Sequence, residues 1–298
     1  MRAIRFRPAR VQVPGPGPVK VRGTRQSKSI WIVLAALVLA ALLWQPLGLG
    51  RGIDGMRRNF VAMRYFKRAT EALQQKPVNR ARAVAMVDRA LELAPENKPL
   101  TSQAGLVYLY AEAYEKAVQH LSHQPGRDLG EDIHLGHCLV LAGQHVEGLE
   151  LLHDAYQRLG SGTPADAQGR YRRAIYLNEI GYSYAVAGAE LDRAITLLQE
   201  AVQLQPLEPA FIDSLGWAYY RMGQYWQAMF YLERAVRLAG AQNNHETYYH
   251  LGAVYARMGY TRRAAKALAN ALEYDPQYQP AVEELQRLGW ELPQPIRV

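Results

Sequence analysis

Four stretches of this chain repeat one another, and that repetition limits the fold more than any other feature. They run from Asp132 to Ala155, Leu177 to Ala201, Ile212 to Ala235 and Tyr248 to Ala271, and they align on Gly136, Gly181, Gly216 and Gly252. Successive glycines lie 45, 35 and 36 residues apart. Self-similarity at such a period marks a stacked array, in which no single unit buries its apolar face alone. The clearest copies read IDSLGWAYYRMGQYWQAMFYLERAV (212–236) and YYHLGAVYARMGYTRRAAKALANAL (248–272). A glycine inside a helix costs about 1 kcal/mol relative to alanine, so its recurrence at one register implies that a second helix comes close. The later alanines of each copy are expected to make that contact from the partner helix. Gly143, Gly188, Gly223 and Gly259 fall where the first helix must end and the chain reverse.

The pattern resembles the tetratricopeptide repeat. In that family an apolar-Gly pair is followed by Tyr, a turn Gly, a small residue, an apolar residue, Ala and often Pro. Here one copy has Leu215-Gly216, Tyr219, Gly223, Ala228, Leu232 and Ala235, with Gly240 in place of Pro. The next has Leu251-Gly252, Tyr255, Gly259, Ala264, Leu268, Ala271 and Pro276. The copy before has Ile180-Gly181, Tyr184, Gly188, Ala194, Leu198, Ala201 and Pro206, with one extra residue in its turn. Upstream copies are degenerate: Leu135-Gly136, Leu139, Gly143, Gly148, Leu152 and Ala155; then Ala104-Gly105, Tyr108, Ala117 and Leu121; then Ala83, Val87, Ala90 and Pro95. The resemblance covers roughly residues 60–276. It implies an all-α fold, a right-handed α-solenoid of about six helical hairpins. A capping helix near Gln277–Leu288, with Val282, Leu285 and Leu288 on one face, would close it.

Charge divides the chain. The net charge is +8, and residues 1–28 alone hold eight bases and no acid. The other 270 residues carry 27 bases against 27 acids, and the chain from Pro77 onward nets −5. A nucleic-acid-binding reading of the array therefore loses its support. The first 28 residues also contain Pro14-Gly15-Pro16-Gly17-Pro18, which resists helix and reads as a disordered basic tail.

From Ser29 to Gly50 there is no charge, and Ile30 to Leu43 is uninterruptedly apolar, with Trp31 and Trp44 near its ends. We read residues 29–49 as one N-terminal transmembrane helix, a retained signal anchor. A cleaved signal peptide, with Gly48-Leu49-Gly50 as small residues at its cleavage site, competes; the long basic segment ahead of it argues against cleavage. The positive-inside rule puts the N-terminus in the cytoplasm and the array on the outer, periplasmic side of the cytoplasmic membrane. The tail is a candidate for contact with anionic lipid. The remaining organisation reads as degenerate hairpins over 50–159, a loop insertion over 160–170, regular repeats over 171–276, and the cap with a C-terminal tail over 277–298.

Chemistry-bearing motifs are sparse. No phosphate-binding Gly loop, nucleophile elbow or HExxH pattern occurs. The chain is read as no enzyme and as needing no cofactor. Cys138 is the single cysteine, so no intramolecular disulfide or thiolate-rich metal site forms. Six of eight histidines lie between residues 120 and 153. His120/His123 and His134/His137 are i, i+3 pairs, each on one helix face. Brought together beside Cys138 they are metal-ligand candidates for Zn or Cu; the competing reading is that histidines fill polar positions of degenerate repeats.

Tetratricopeptide arrays bind protein partners on the concave face lined by the first helix of each hairpin. The resemblance places Tyr110, His137, Asn178, Tyr182, Asp213, Trp217, Tyr220, Arg221, Tyr249 and Arg257 there. Aromatic residues and Arg supply interface anchors, although Tyr at repeat spacing also packs cores. The Lys/Asn pattern by which chaperone-binding members clamp a C-terminal carboxylate is not matched. The function expected is a membrane-anchored scaffold for partner proteins in assembly of a membrane or envelope complex. The alternative is a constitutive structural subunit of such a complex; a metal-binding protein is the third reading.

Overall fold

The computed structural model describes residues 53–124, 126–240 and 244–290. The basic tail over 1–28 and the apolar segment over 29–49 lie outside the described residues. Among the described residues no helix is long and apolar enough to cross a membrane.

The described chain is all-α, with thirteen helices and no strand. Six antiparallel hairpins follow one another. They are α1 (Ile53–Leu73) with α2 (Arg80–Leu93), α3 (Lys98–Tyr110) with α4 (Tyr114–Ser122), and α5 (Leu129–Leu141) with α6 (His145–Leu159). Then come α7 (Ala167–Ala187) with α8 (Leu191–Leu204), α9 (Pro209–Arg221) with α10 (Tyr225–Ala239), and α11 (His245–Arg257) with α12 (Thr261–Tyr274). A single helix, α13 (Gln279–Arg287), covers the open end of the last hairpin through Ala281 and Leu285.

Local chemistry sets the boundaries. Asn79, Asn97, Asp166 and Asn244 each accept a backbone N–H of the first turn from the N-cap position of α2, α3, α7 and α11. Asp128 and Glu131 form a full capping box on α5. Between the helices of a hairpin the chain reverses through a residue in the left-handed region: Gly143, Gly223 and Gly259 have φ of 82°, 81° and 78°. Glycine takes that conformation without steric cost.

In the five hairpins from α3–α4 to α11–α12 the two helices meet where the first has no Cβ. A Cβ built on Gly105, Gly136, Gly181, Gly216 or Gly252 would lie within 2.8 Å of Leu121, Leu152, Leu198, Leu232 or Leu268 respectively. The residue opposite each glycine is thus a leucine of the second helix, and not the alanine expected from the pattern. The alanines Ala117, Ala194, Ala228 and Ala264 are fully buried in the same seams. First helices of successive hairpins also pack side by side, α5 on α7, α7 on α9 and α9 on α11.

The two ends of the array touch. The Val78 amide donates to the Tyr274 carbonyl at 3.1 Å, and the Lys76 ammonium lies 4.0 Å from the centre of the Tyr274 ring. Arg80, at the start of α2, pairs with Asp275 at 2.7 Å and with Glu112. His245 Nε2, at the start of α11, lies 2.9 Å from the Glu112 carboxylate and 2.9 Å from the Arg80 guanidinium. Burial opposes ionisation of Glu112, but the His245 hydrogen bond and the Arg80 charge outweigh it and hold the carboxyl below its usual value. Glu112 has φ of 56° in the reversal between α3 and α4, the place where other hairpins use glycine. A left-handed non-glycine residue costs about 1–2 kcal/mol, so a strained acid stands at the centre of this clasp.

Two outcomes follow from these contacts. Gly216→Val should drive a branched side chain into Leu232 and cost about 1–3 kcal/mol, seen as a lower Tm by calorimetry; an unchanged Tm would mean the hairpin can spread freely. Arg80→Ala leaves Glu112 and Asp275 without their cation, and should let the ends part. Cys138 is fully buried, and burial pushes its thiol up to about 12. Its labelling by a thiol reagent should speed up in Arg80→Ala more than in Leu232→Ala, a cavity variant remote from the clasp. Equal labelling in both variants would show that the ends are held without the clasp.

Candidate functional site

The ten residues expected on the partner face lie on the first helices: Tyr110 on α3, His137 on α5, Asn178 and Tyr182 on α7, Asp213, Trp217, Tyr220 and Arg221 on α9, and Tyr249 and Arg257 on α11. The structure sorts them by depth. His137, Asp213 and Trp217 are buried, with 8%, 7% and 8% of their surface exposed. Asn178, Tyr182, Tyr220 and Tyr249 are half-buried, while Tyr110, Arg221 and Arg257 are exposed.

The buried part is a polar lining that largely satisfies itself. The Tyr182 hydroxyl donates to Glu246 at 2.8 Å, which ties α7 to α11 across α9. The Ser183 hydroxyl donates to the Glu179 carbonyl at 2.6 Å, so His137 Nδ1–H must be the donor in its 2.8 Å contact with Ser183 Oγ. Burial keeps the His137 pKa below its usual value and the ring neutral. Asp213 meets His250 Nδ1 at 2.9 Å. Two acceptors, Asn178 Oδ1 and Asp213 Oδ1, are buried with no hydrogen-bond partner among the described residues. Trp217 is sandwiched, its ring stacked on His250 at 4.1 Å and on Tyr220 at 4.7 Å. It is a core element with one aromatic neighbour at the surface.

The accessible part is a rim on the last hairpins. Tyr220 and Tyr249 flank Trp217, and the Tyr249 ring continues onto Tyr278 at 5.5 Å. The Arg257 Nε lies 3.5 Å from the Tyr220 hydroxyl, and Arg221 is held by the Val186 carbonyl at 2.7 Å. Tyr110 stands apart at the end of α3, 62% exposed, with its phenol pushed up to about 12 by surrounding protein and by the charge of Glu179.

The histidine pairs do not converge. His120 Nε2 contacts the Thr101 carbonyl and His123 Nδ1 the Gln119 carbonyl, both at 2.6 Å, beside a recess of about 550 Å³ with Asp88, Tyr108 and Lys116. His134 and His137 engage Glu179 and Ser183 instead. Among the described residues no set of three His, Cys, Asp or Glu side chains is placed to hold a metal ion. The i, i+3 spacing aligns each pair on its helix but does not aim the two pairs at one point. Residues missed from the sequence are Arg80, Glu112, His245, Asp275 and Glu246. Their one local signal was Glu112 in a slot that the repeat fills with glycine.

His134 and Glu179 form a half-buried ion pair at 2.7 Å. Burial disfavours the imidazolium, but the Glu179 charge and hydrogen bond prevail and raise the His134 pKa. Glu179 is lowered, burial again being outweighed by His134. The ordinary values are 6.5 and 4.5. The raised imidazole contributes its stability in full below about 6.5 and loses it as pH rises through its folded value. The lowered carboxyl contributes above about 4.5 and loses it as pH falls through its folded value. The pair therefore contributes most between those limits. Glu179→Gln should lower Tm more at about pH 5.5 than at about pH 9; an equal loss at both would show that the pair is not charged in the folded chain.

Known proteins share this arrangement. A family model for the tetratricopeptide repeat matches residues 213–242 and 245–278, which hold the α9–α10 and α11–α12 hairpins. A TPR repeat-containing protein of Pseudomonas aeruginosa is 37% identical over 79 residues, 26% of this chain and 13% of that protein. The BBSome complex member BBS4 of Bos taurus is 25% identical over 194 residues, 65% of this chain and 35% of that protein. The matches thus span well under two thirds of either relative. In the crystal structure of the APC/C hetero-tetramer Cut9–Hcn1, a chain 17% identical superposes with a TM-score of 0.51 over 87% of this chain and 52% of its own, a likeness of fold. The repeat register, the helical hairpins and the family match agree that residues 213–278 are tetratricopeptide repeats, and the upstream hairpins repeat the same helix–turn–helix packing.

Proposed function

We propose that the chain is a membrane-anchored scaffold that holds protein partners during assembly of a membrane or envelope complex. The observation that carries this reading is the aromatic and Arg rim of Tyr220, Tyr249 and Arg257, supported from below by the buried Trp217–His250 stack. Preorganised aromatic and guanidinium groups lose little freedom on binding and make strong anchors. The reading involves presentation of a surface and no catalytic step. The apolar run over 30–43 and the eight bases before it support an anchor in the cytoplasmic membrane, N-terminus inside and array outside. Membership of the bovine relative in a multi-protein complex supports the assembly role.

The clasp gives the scaffold two levels of access. With the ends joined, the rim is available and the deeper polar lining is not. A partner segment reaching Asn178 Oδ1 and Asp213 Oδ1 would need the ends to part, and its backbone N–H groups would then satisfy both acceptors. The closed inner face also favours a second reading, a constitutive subunit that docks by its outer helices. Trp226 and Phe230, one turn apart on α10, are 65% and 58% exposed.

Affinity purification from detergent-solubilised membranes separates the readings. Tyr220→Ala with Arg257→Ala should reduce co-purified partners by about tenfold or more, the loss of one strong anchor, with the array still folded by circular dichroism. Trp217→Ala is a poor probe because it empties the core beneath the rim. Full retention by the rim variant, with loss in Trp226→Ala/Phe230→Ala, would transfer the function to the outer face.

A further inference from the structure

We propose that the solvent face of α1 lies against the surface of an anionic bilayer. Ala62, Phe66 and Ala69 form the core face of α1, with 0%, 5% and 0% exposure. Phe60 lies about 200° around the helix from Ala62, at the middle of the opposite face. It is 66% exposed, and Met56, one turn earlier, is 60% exposed. A Phe and a Met left in water on one stripe call for a cover.

The charge around them names its chemistry. Arg57, Arg64 and Lys67 flank the same stripe, with Arg68 at its margin, and all four are exposed. Among the described residues only Lys67 has an acidic partner, Glu71 at 3.7 Å. Apolar side chains interleaved with cations fit a lipid interface, where the rings enter the acyl boundary and the cations meet phosphate headgroups. Chain length keeps that interface within reach. Gln45 to Gly52 is eight residues, which span at most about 28 Å even when extended, so α1 starts close to wherever the apolar segment ends. The inference rests on the anchor reading for its geometry and adds a second, electrostatic attachment that would fix how the array stands on the membrane.

The test uses the full chain with Cys138→Ala and Met56→Cys, the new thiol carrying an environment-sensitive fluorophore. The protein is reconstituted in phosphatidylcholine vesicles with or without phosphatidylglycerol. Expected are a blue-shifted emission and quenching by acyl-brominated lipid in the anionic vesicles. Both effects should be lost in Arg57→Glu/Arg64→Glu/Lys67→Glu and weaken at high salt. A chain that floats with vesicles while its label stays in water overturns the docking and leaves the anchor standing. A label shielded equally in both lipids assigns the face to a protein cover and overturns it too. A chain that floats with neither vesicle overturns the anchor, and the docking with it.

Discussion

Five of the six hairpins are held by the contact between a glycine on the first helix and a leucine on the second, and the spacing of the array from α3 onward depends on it. Five such pairs recur, from Gly105–Leu121 to Gly252–Leu268. Removing one Cβ lets the backbones approach until the leucine fills the gap, and the neighbouring alanines then pack without voids. Because the same approach is repeated, the same small rotation is repeated from hairpin to hairpin. Small departures at one hairpin thus propagate to where the two ends of the array arrive.

In this chain the ends arrive in contact. The clasp that joins them combines a strained backbone, buried charges and two helix starts. Glu112, standing where other hairpins have a turn glycine, costs backbone energy, which Arg80 offsets from the adjacent hairpin and His245 only when the ends are together. The same residue in an open array would keep the strain and lose the His245 partner. Charged pairs of this kind contribute modestly to net stability, yet strand a buried charge when one partner is lost. That asymmetry makes the clasp a specific device for closure and a poor general source of stability.

Hairpin existence, register and reversal points were legible in the sequence because each is a local pattern, a glycine recurring at one helix register and another at the turn, whereas the pattern points to an alanine where a leucine of the same second helix meets the first glycine. The meeting of Arg80 with Asp275 was not, because it depends on curvature accumulated over six hairpins and leaves no periodic trace. Depth on the candidate face was not legible either. Register put His137, Asp213 and Trp217 on one face with Tyr220 and Arg257, but only the packing of the next hairpin, through Ser183 and His250, buries the first three. The histidines show the limit of i, i+3 reasoning. His134 and His137 share a helix face, yet one reaches a carboxylate and the other a hydroxyl, 2.7 and 2.8 Å away on the neighbouring α7.

Closure also changes what the lining can mean. Two buried acceptors without donors, Asn178 Oδ1 and Asp213 Oδ1, each leave a desolvated lone pair uncompensated. An open array would give them water, and a bound segment would give them amide N–H groups. Where closing desolvates them it is opposed by that cost, whereas the strain at Glu112 is present with the ends together or apart and opposes neither state. What favours closing is the Arg80-centred charge cluster, the Val78–Tyr274 backbone hydrogen bond and the Lys76–Tyr274 contact. Opposed terms of similar kind, each of a few kcal/mol at most, are the condition under which a partner of modest affinity can move such an equilibrium. The inner face is therefore better understood as a surface whose exposure is set by the clasp than as a groove always open to its ligand.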